Sequence, residues 1–101
     1  MERDHVVAAL RAHEQELRGA GVLSVSLFGS VARGEEVTHD VDVAVRLGEG
    51  FSAPGLHYFS RLSEIEGRLC EILGRGVDVI EEPVRKERLH AEIDRDRALA
   101  F

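Results

Sequence analysis

Two short valine-rich segments of this chain carry aspartates within an apolar pattern. Residues 40–45 read Asp-Val-Asp-Val-Ala-Val, and residues 77–80 read Val-Asp-Val-Ile. Such β-branched runs predict strands, in which successive side chains point to opposite faces of a sheet. In a sheet that pairs the two segments, the valine side chains therefore point into the core. Asp40, Asp42 and Asp78 can then converge on the other face.

Helical patterns surround these strands. Apolar residues recur at helical spacing in residues 2–18 and 56–73, and a pair of glycines follows each segment. The order α-β-(α)-β-α-β-α predicts an α/β (α+β) fold, a small mixed sheet flanked by helices. The predicted elements are a helix at 2–18, a strand at 22–28, a small-residue turn with room for one helical turn and a polar loop at 31–39, a strand at 41–45, a loop at 46–55, a helix at 56–73, a strand at 77–80, a helix at 84–96, and an edge strand or frayed end at 98–101.

Length and composition narrow the class of protein. The 101 residues, 44% of them hydrophobic, predict one globular domain over residues 1–101. Thirteen basic against nineteen acidic residues give a net charge of −6, which argues against direct binding of nucleic acid through its phosphates. One cysteine, Cys70, fits a reducing compartment, and no apolar stretch is long enough to span a membrane. The charged start lacks the apolar core of a signal peptide, so we expect a cytoplasmic protein.

The aspartate pair of the second strand predicts a cation site. Asp40 and Asp42 project to one face of the strand about 6.5–7 Å apart, and two such carboxylates repel each other unless a cation lies between them. A hard divalent ion such as magnesium suits carboxylates combined with substrate phosphates. The alternative is the solvent-exposed face of an ordinary amphipathic strand.

A third carboxylate strengthens the metal hypothesis. Asp78 also lies within an apolar β-branched run, and three acids can hold two metal ions. One of the three can also take a proton from an attacking hydroxyl. The alternative for Asp78 is an edge-strand residue that points to water.

The turn after the first predicted strand can bind an anion. Gly29 and Ser30 are followed by small residues, so backbone N–H groups and a hydroxyl can approach a phosphate, and Arg33 can add a charged hydrogen bond. The spacing of Gly29 and Gly34 matches a P-loop. However, Glu35 and the glutamate after it stand where the Lys and the Ser or Thr of a Walker motif are required, so that class is excluded.

Together, Gly29-Ser30, the Asp-Val-Asp of residues 40–42 and the later Asp78 resemble the nucleotidyltransferase superfamily typified by DNA polymerase β. The stretches 27–34, Leu-Phe-Gly-Ser-Val-Ala-Arg-Gly, and 39–45, His-Asp-Val-Asp-Val-Ala-Val, look like its minimal nucleotidyltransferase (MNT) branch. That branch consists of a catalytic core without a substrate domain. Two departures are His39, where members often have Ser, and a short spacing between Ser30 and Asp40.

The resemblance implies a role for each residue of the motif. Gly29 and Ser30 would hold a nucleoside triphosphate, with Arg33 as an auxiliary phosphate contact. Asp40, Asp42 and Asp78 would hold two Mg²⁺ ions, and Asp78 would also activate the acceptor. Members of the branch are typically paired with a HEPN-type helical toxin, so the implied activity is an antitoxin that transfers AMP from ATP to a tyrosine of that toxin.

Two other functions stay open at this stage. The same fold can neutralise a toxin by binding it without catalysis. It can also modify a small molecule of the aminoglycoside type, although the chain has no second domain to bind such an acceptor. The sequence is also compatible with a homo-oligomer.

Overall fold

A four-stranded mixed sheet forms the centre of the fold. The computed structural model describes residues 2–35, 40–48 and 56–101, the side chains of residues 56 and 57 excepted. The strands lie in the order β3-β2-β1-β4; β2 and β3 are parallel, and β1 is antiparallel to β2 and β4. This architecture confirms the predicted mixed α/β fold. The elements are α1 Arg3–Ala12, α2 Glu14–Gly19, β1 Val22–Phe28, α3 Gly29–Ala32, β2 Val41–Leu47, α4 Leu56–Leu73, β3 Val77–Glu81, α5 Glu87–Asp96 and β4 Ala98–Leu99.

Several boundaries differ from the sequence prediction. The predicted helix 2–18 is two helices, because His13 leaves helical geometry (φ −109°, ψ 16°) and its N–H bonds to Leu10 O. The last helix begins at Glu87 rather than 84, since Lys86 is still extended (φ −73°, ψ 119°). The end of the chain is an edge strand paired with β1. Residues 36–39, and most of the predicted loop 46–55, lie outside the described residues.

The larger core covers one face of the sheet. Val41, Val43 and Val45 are fully buried there, as the alternation predicts, because α1, α2 and α4 pack over them. The other buried members of this core are Val6, Leu10, Leu17, Val22, Val25, Leu27, Val31, Ala32, Ile65, Leu69, Leu73, Val77 and Ala100.

None of the described helices combines the length and apolarity needed to cross a bilayer.

The opposite face is covered mainly by α5 and is more polar. Its small apolar cluster consists of Phe28 and Ala44 from the sheet and Ile93 from α5. Beside it Arg97 donates to both oxygens of the buried Glu82, at 2.9 and 2.6 Å, and to Ser26 Oγ at 2.9 Å. This network satisfies the buried polar groups, so part of the α5 face is held by charge rather than by apolar contact.

Candidate active site

Two of the predicted carboxylates are direct neighbours across the sheet. In the paired register Phe28 lies beside Asp42, and Asp42 lies beside Asp78. Neighbours in register share a face, and Ala44, two residues after Asp42, packs under α5. Asp42 and Asp78 therefore project together on the α5 side, at the end where β1 leaves the sheet.

Two glycines leave space for the aspartates. Gly29, at the end of β1, has a left-handed backbone (φ 73°), and a Cβ there would collide with the carboxylate of Asp42. Gly76, just before β3, has no such φ, but a Cβ on it would collide with the carboxylate of Asp40. In the sequence Gly76 is only one of the two glycines that follow the helix at 56–73, whereas the structure places it against the side chain of Asp40.

All six residues singled out in the sequence line one cleft of about 630 Å³. The cleft has a seventh lining residue, Glu92 of α5, which sequence reasoning missed. Glu92 is one acid among many on a charged helix, and periodicity places that helix face in solvent. The six predicted residues are Gly29, Ser30, Arg33, Asp40, Asp42 and Asp78.

The electrostatics of the cleft are those of an uncompensated acidic site. Burial raises the pKa of Asp42, and the negative charges of Asp78, Glu92 and Asp40 raise it further, against a smaller opposing effect of Arg33. A carboxylate in these surroundings is stabilised by any cation that enters. The cleft therefore favours a positively charged ligand.

The donor set fits magnesium in its chemistry. Asp40, Asp42, Asp78 and Glu92 offer only carboxylate oxygens, which hard divalent cations prefer. Among the described residues, no group of three or more His, Cys, Asp or Glu side chains is already arranged as a metal cage. Magnesium commonly takes one or two carboxylates and completes its shell with phosphate oxygens and water, so a complete protein cage is not required.

Arg33 lines the cleft, yet its guanidinium is already bonded. Its Nε donates to Glu35 Oε2 at 2.7 Å and its Nη1 to Asp96 Oδ2 at 2.7 Å. Hydrogen bonds from Arg95 and Arg33 lower the pKa of Asp96 to about 2, so this carboxylate is ionised. Arg33 thus ties the turn after β1 to the end of α5, and its contact with a phosphate stays a prediction.

Comparisons with known proteins identify the family and the fold of the chain. The family model described as a nucleotidyltransferase domain matches residues 10–99, which is most of the chain. No curated protein matches it. Among solved structures, a protein assigned to the minimal nucleotidyltransferases is 27% identical, with a TM-score of 0.74 over 97% of this chain and 95% of the other.

Two further similar chains come from toxin–antitoxin complexes. One is from the complex of a tri-AMPylated Shewanella oneidensis HEPN toxin with an MNT antitoxin, 19% identical, with a TM-score of 0.61 over 93% of this chain and 70% of that chain. The other is from a toxin–antitoxin complex with AMP-PNP, also 19% identical, with a TM-score of 0.62 over 100% of this chain and 73% of that chain. At this identity both comparisons establish a shared fold.

Proposed function

The chain belongs to the nucleotidyltransferase domain family, and on that premise we propose that it is a magnesium-dependent adenylyltransferase of the cytoplasm. Its donor is ATP, its acceptor is a tyrosine hydroxyl of a HEPN-type toxin, and the transfer makes it the antitoxin of that toxin. The observation that carries the proposal is the cleft that Asp40, Asp42 and Asp78 line together with Gly29 and Ser30, the first residues of α3.

Each side of the cleft has its own task in this proposal. Gly29 and Ser30, at the start of α3, would offer N–H groups and a hydroxyl to the triphosphate. Asp40, Asp42 and Asp78 would hold two Mg²⁺ ions, which supply charge stabilisation to the reacting phosphate. The similar chain found with a tri-AMPylated HEPN toxin, and the one found with AMP-PNP, support this choice of donor and acceptor.

The reaction is an in-line substitution at the α-phosphorus of ATP. The acceptor oxygen forms a bond to this phosphorus while the bond from the phosphorus to the bridging oxygen breaks, and pyrophosphate leaves with the electron pair. The proton of the hydroxyl passes to Asp78. Such chemistry depends chiefly on positioning and on the stabilisation of developing charge, and rigid strand-borne groups are suited to both.

The test uses the cognate HEPN-type toxin that this proposal requires as acceptor. Incubation with ATP and magnesium should increase its intact mass by whole AMP units, and RNA and aminoglycosides should stay unmodified. The variant Asp40→Ala/Asp42→Ala should transfer nothing. The control variant Glu64→Ala/Glu66→Ala removes the same charge from the exposed surface of α4 and should match the wild type.

Two outcomes would contradict the proposal. A partner that is inhibited in a stable complex but never gains mass would favour the alternative, a binding module without catalysis. A mass gain that persists in Asp40→Ala/Asp42→Ala would refute the assigned mechanism.

A further inference from the structure

A second depression adjoins the catalytic cleft. The α5 groove, about 870 Å³ in volume, lies along the outer face of the last helix. Glu92 lines both the groove and the cleft, so the two adjoin at this residue. The cleft alone, about 630 Å³, has the volume of a small-ligand site. None of the six residues assigned to the nucleotide and the metal ions lines the groove, which leaves the groove for a second molecule. The groove is lined by Glu87, Arg88, Ala91, Glu92 and Arg95.

We propose that the α5 groove is the docking surface of the acceptor polypeptide, an inference that rests on the proposed function. The occupant is an extended polar segment of the acceptor protein. Its hydroxyl-bearing side chain passes Glu92 into the cleft, and a neighbouring carboxylate of the segment pairs with Arg88.

The chemistry of the groove specifies this occupant. Four of its five lining side chains are charged, which suits a polar segment and disfavours an apolar helix. Ala91 lies between the charged residues, and its small side chain lets a main chain approach α5 closely.

The charge opposite the segment comes from Arg88. Arg95 is bonded to Asp96, with Nε–Oδ1 at 2.9 Å and Nη2–Oδ2 at 3.1 Å. Arg88, in contrast, is exposed and makes no hydrogen bond or ion pair with any residue that the structure describes. Its guanidinium is therefore the cation that a carboxylate of the acceptor can reach without breaking an existing pair.

Ala91→Trp and Arg88→Glu test the groove, with Ala8→Trp on the exposed surface of α1 as the matched control. The probe is the cognate HEPN-type toxin of the proposed function, and its affinity is measured by biolayer interferometry on the chain loaded with AMP-PNP and magnesium. We expect both groove variants to bind at least about tenfold more weakly, the loss typical of a blocked interface contact. Affinity for AMP-PNP and the melting temperature should be unchanged, and Ala8→Trp should equal the wild type.

This experiment distinguishes a failure of the catalytic proposal from a failure of the docking proposal. If the wild type never modifies the partner, the catalytic proposal fails, while the affinities still decide whether the partner docks in the groove. Equal affinity of Arg88→Glu and the wild type would overturn the docking proposal, as would a partner that binds no form of the chain. Where transfer occurs, the groove variants should raise KM for the acceptor and leave KM for ATP unchanged.

Discussion

Two carboxylates on the α5 side of the sheet have opposite surroundings. Glu82 is 6% exposed and accepts two hydrogen bonds from Arg97, which lower its pKa despite burial. Asp42 is half-buried, and its pKa is raised by burial and by the charges of Asp78 and Glu92. Glu82 has its cation within the fold, whereas Asp42 is surrounded by like charge. Glu82 therefore stabilises the folded chain, whereas Asp42 is subject to charge repulsion that a bound cation can relieve.

The largest expected effect is on catalysis by Asp42→Asn. Loss of this carboxylate should reduce AMP transfer at least about 10³-fold, because charge stabilisation at such a site contributes several kcal/mol to the transition state. The same change removes repulsion, so in chelator the variant should melt at the wild-type temperature or above it. Magnesium should raise the melting temperature of the wild type more than that of the variant. A variant much less stable than wild type in chelator would make Asp42 a structural residue.

Glu82→Gln makes the matching isosteric change at the other carboxylate. It should lower the free energy of unfolding by about 2 kcal/mol, since it weakens two charge-assisted hydrogen bonds in a buried place. Urea unfolding measures the loss, and Glu81→Gln, at the neighbouring exposed position, should change little. Equal stability of Glu82→Gln and the wild type would show that the ion pair contributes nothing net.

The two sites should also respond oppositely to pH. The folded-state pKa of Glu82 is lowered from 4.5, so its stabilisation is present above that pH and is lost as pH falls through the folded value. The folded-state pKa of Asp42 is raised from 3.8, so its ionisation destabilises the fold as pH rises through the window above 3.8. In chelator, the deficit of Glu82→Gln should shrink on acidification, and any gain of Asp42→Asn should grow as pH rises.

Glycine substitutions separate backbone strain from displacement of a carboxylate. Gly29→Ala should cost about 1–3 kcal/mol, because its left-handed backbone (φ 73°) disfavours a Cβ, and the new methyl group also displaces Asp42. Gly76→Ala displaces only Asp40 and should cost less, with transfer reduced in both variants. Denaturant unfolding and the partner's mass gain are the two measurements. A greater loss of stability in Gly76→Ala would contradict this ordering.

Local patterns were enough to predict the strands and the helix at 56–73. Alternation within a strand decides which side chains share a face, so the placement of Asp42 opposite the buried valines followed from the sequence alone. The break at His13 was not visible, because Leu10 and Leu17 are separated by two full helical turns and their spacing continues across it.

The position of Glu92 could not be predicted for a different reason. It depends on how α5 is rotated against the sheet, which Ile93 sets by packing on Phe28 and Ala44. The bond from Arg33 to Asp96 fixes the end of the same helix. These contacts join residues far apart in sequence, and no local periodicity reports them.

The smallest expected effect tests the ranking of charges around Asp42. After burial, the causes of its raised pKa are, in order, Asp78, Glu92 and Asp40. Neutralising each in turn, as Asp78→Asn, Glu92→Gln and Asp40→Asn, should lower the pKa of Asp42 by successively smaller amounts, because the repulsion falls with distance and with screening by water. Carbon-detected NMR titration of the Asp42 carboxyl in chelator measures these shifts.

The control for this titration is Glu87→Gln. It removes the same charge from the same helix and lines the α5 groove without lining the cleft, so the pKa of Asp42 should not move. A shift in Glu87→Gln as large as that in Glu92→Gln would mean that Asp42 senses the total charge of α5 rather than one neighbouring carboxylate. An unmoved pKa in Glu92→Gln would place its carboxylate away from the reacting end of the cleft. If Glu92→Gln alone of the α5 variants lowers the pKa, this carboxylate faces Asp42, at the boundary that an incoming hydroxyl must cross.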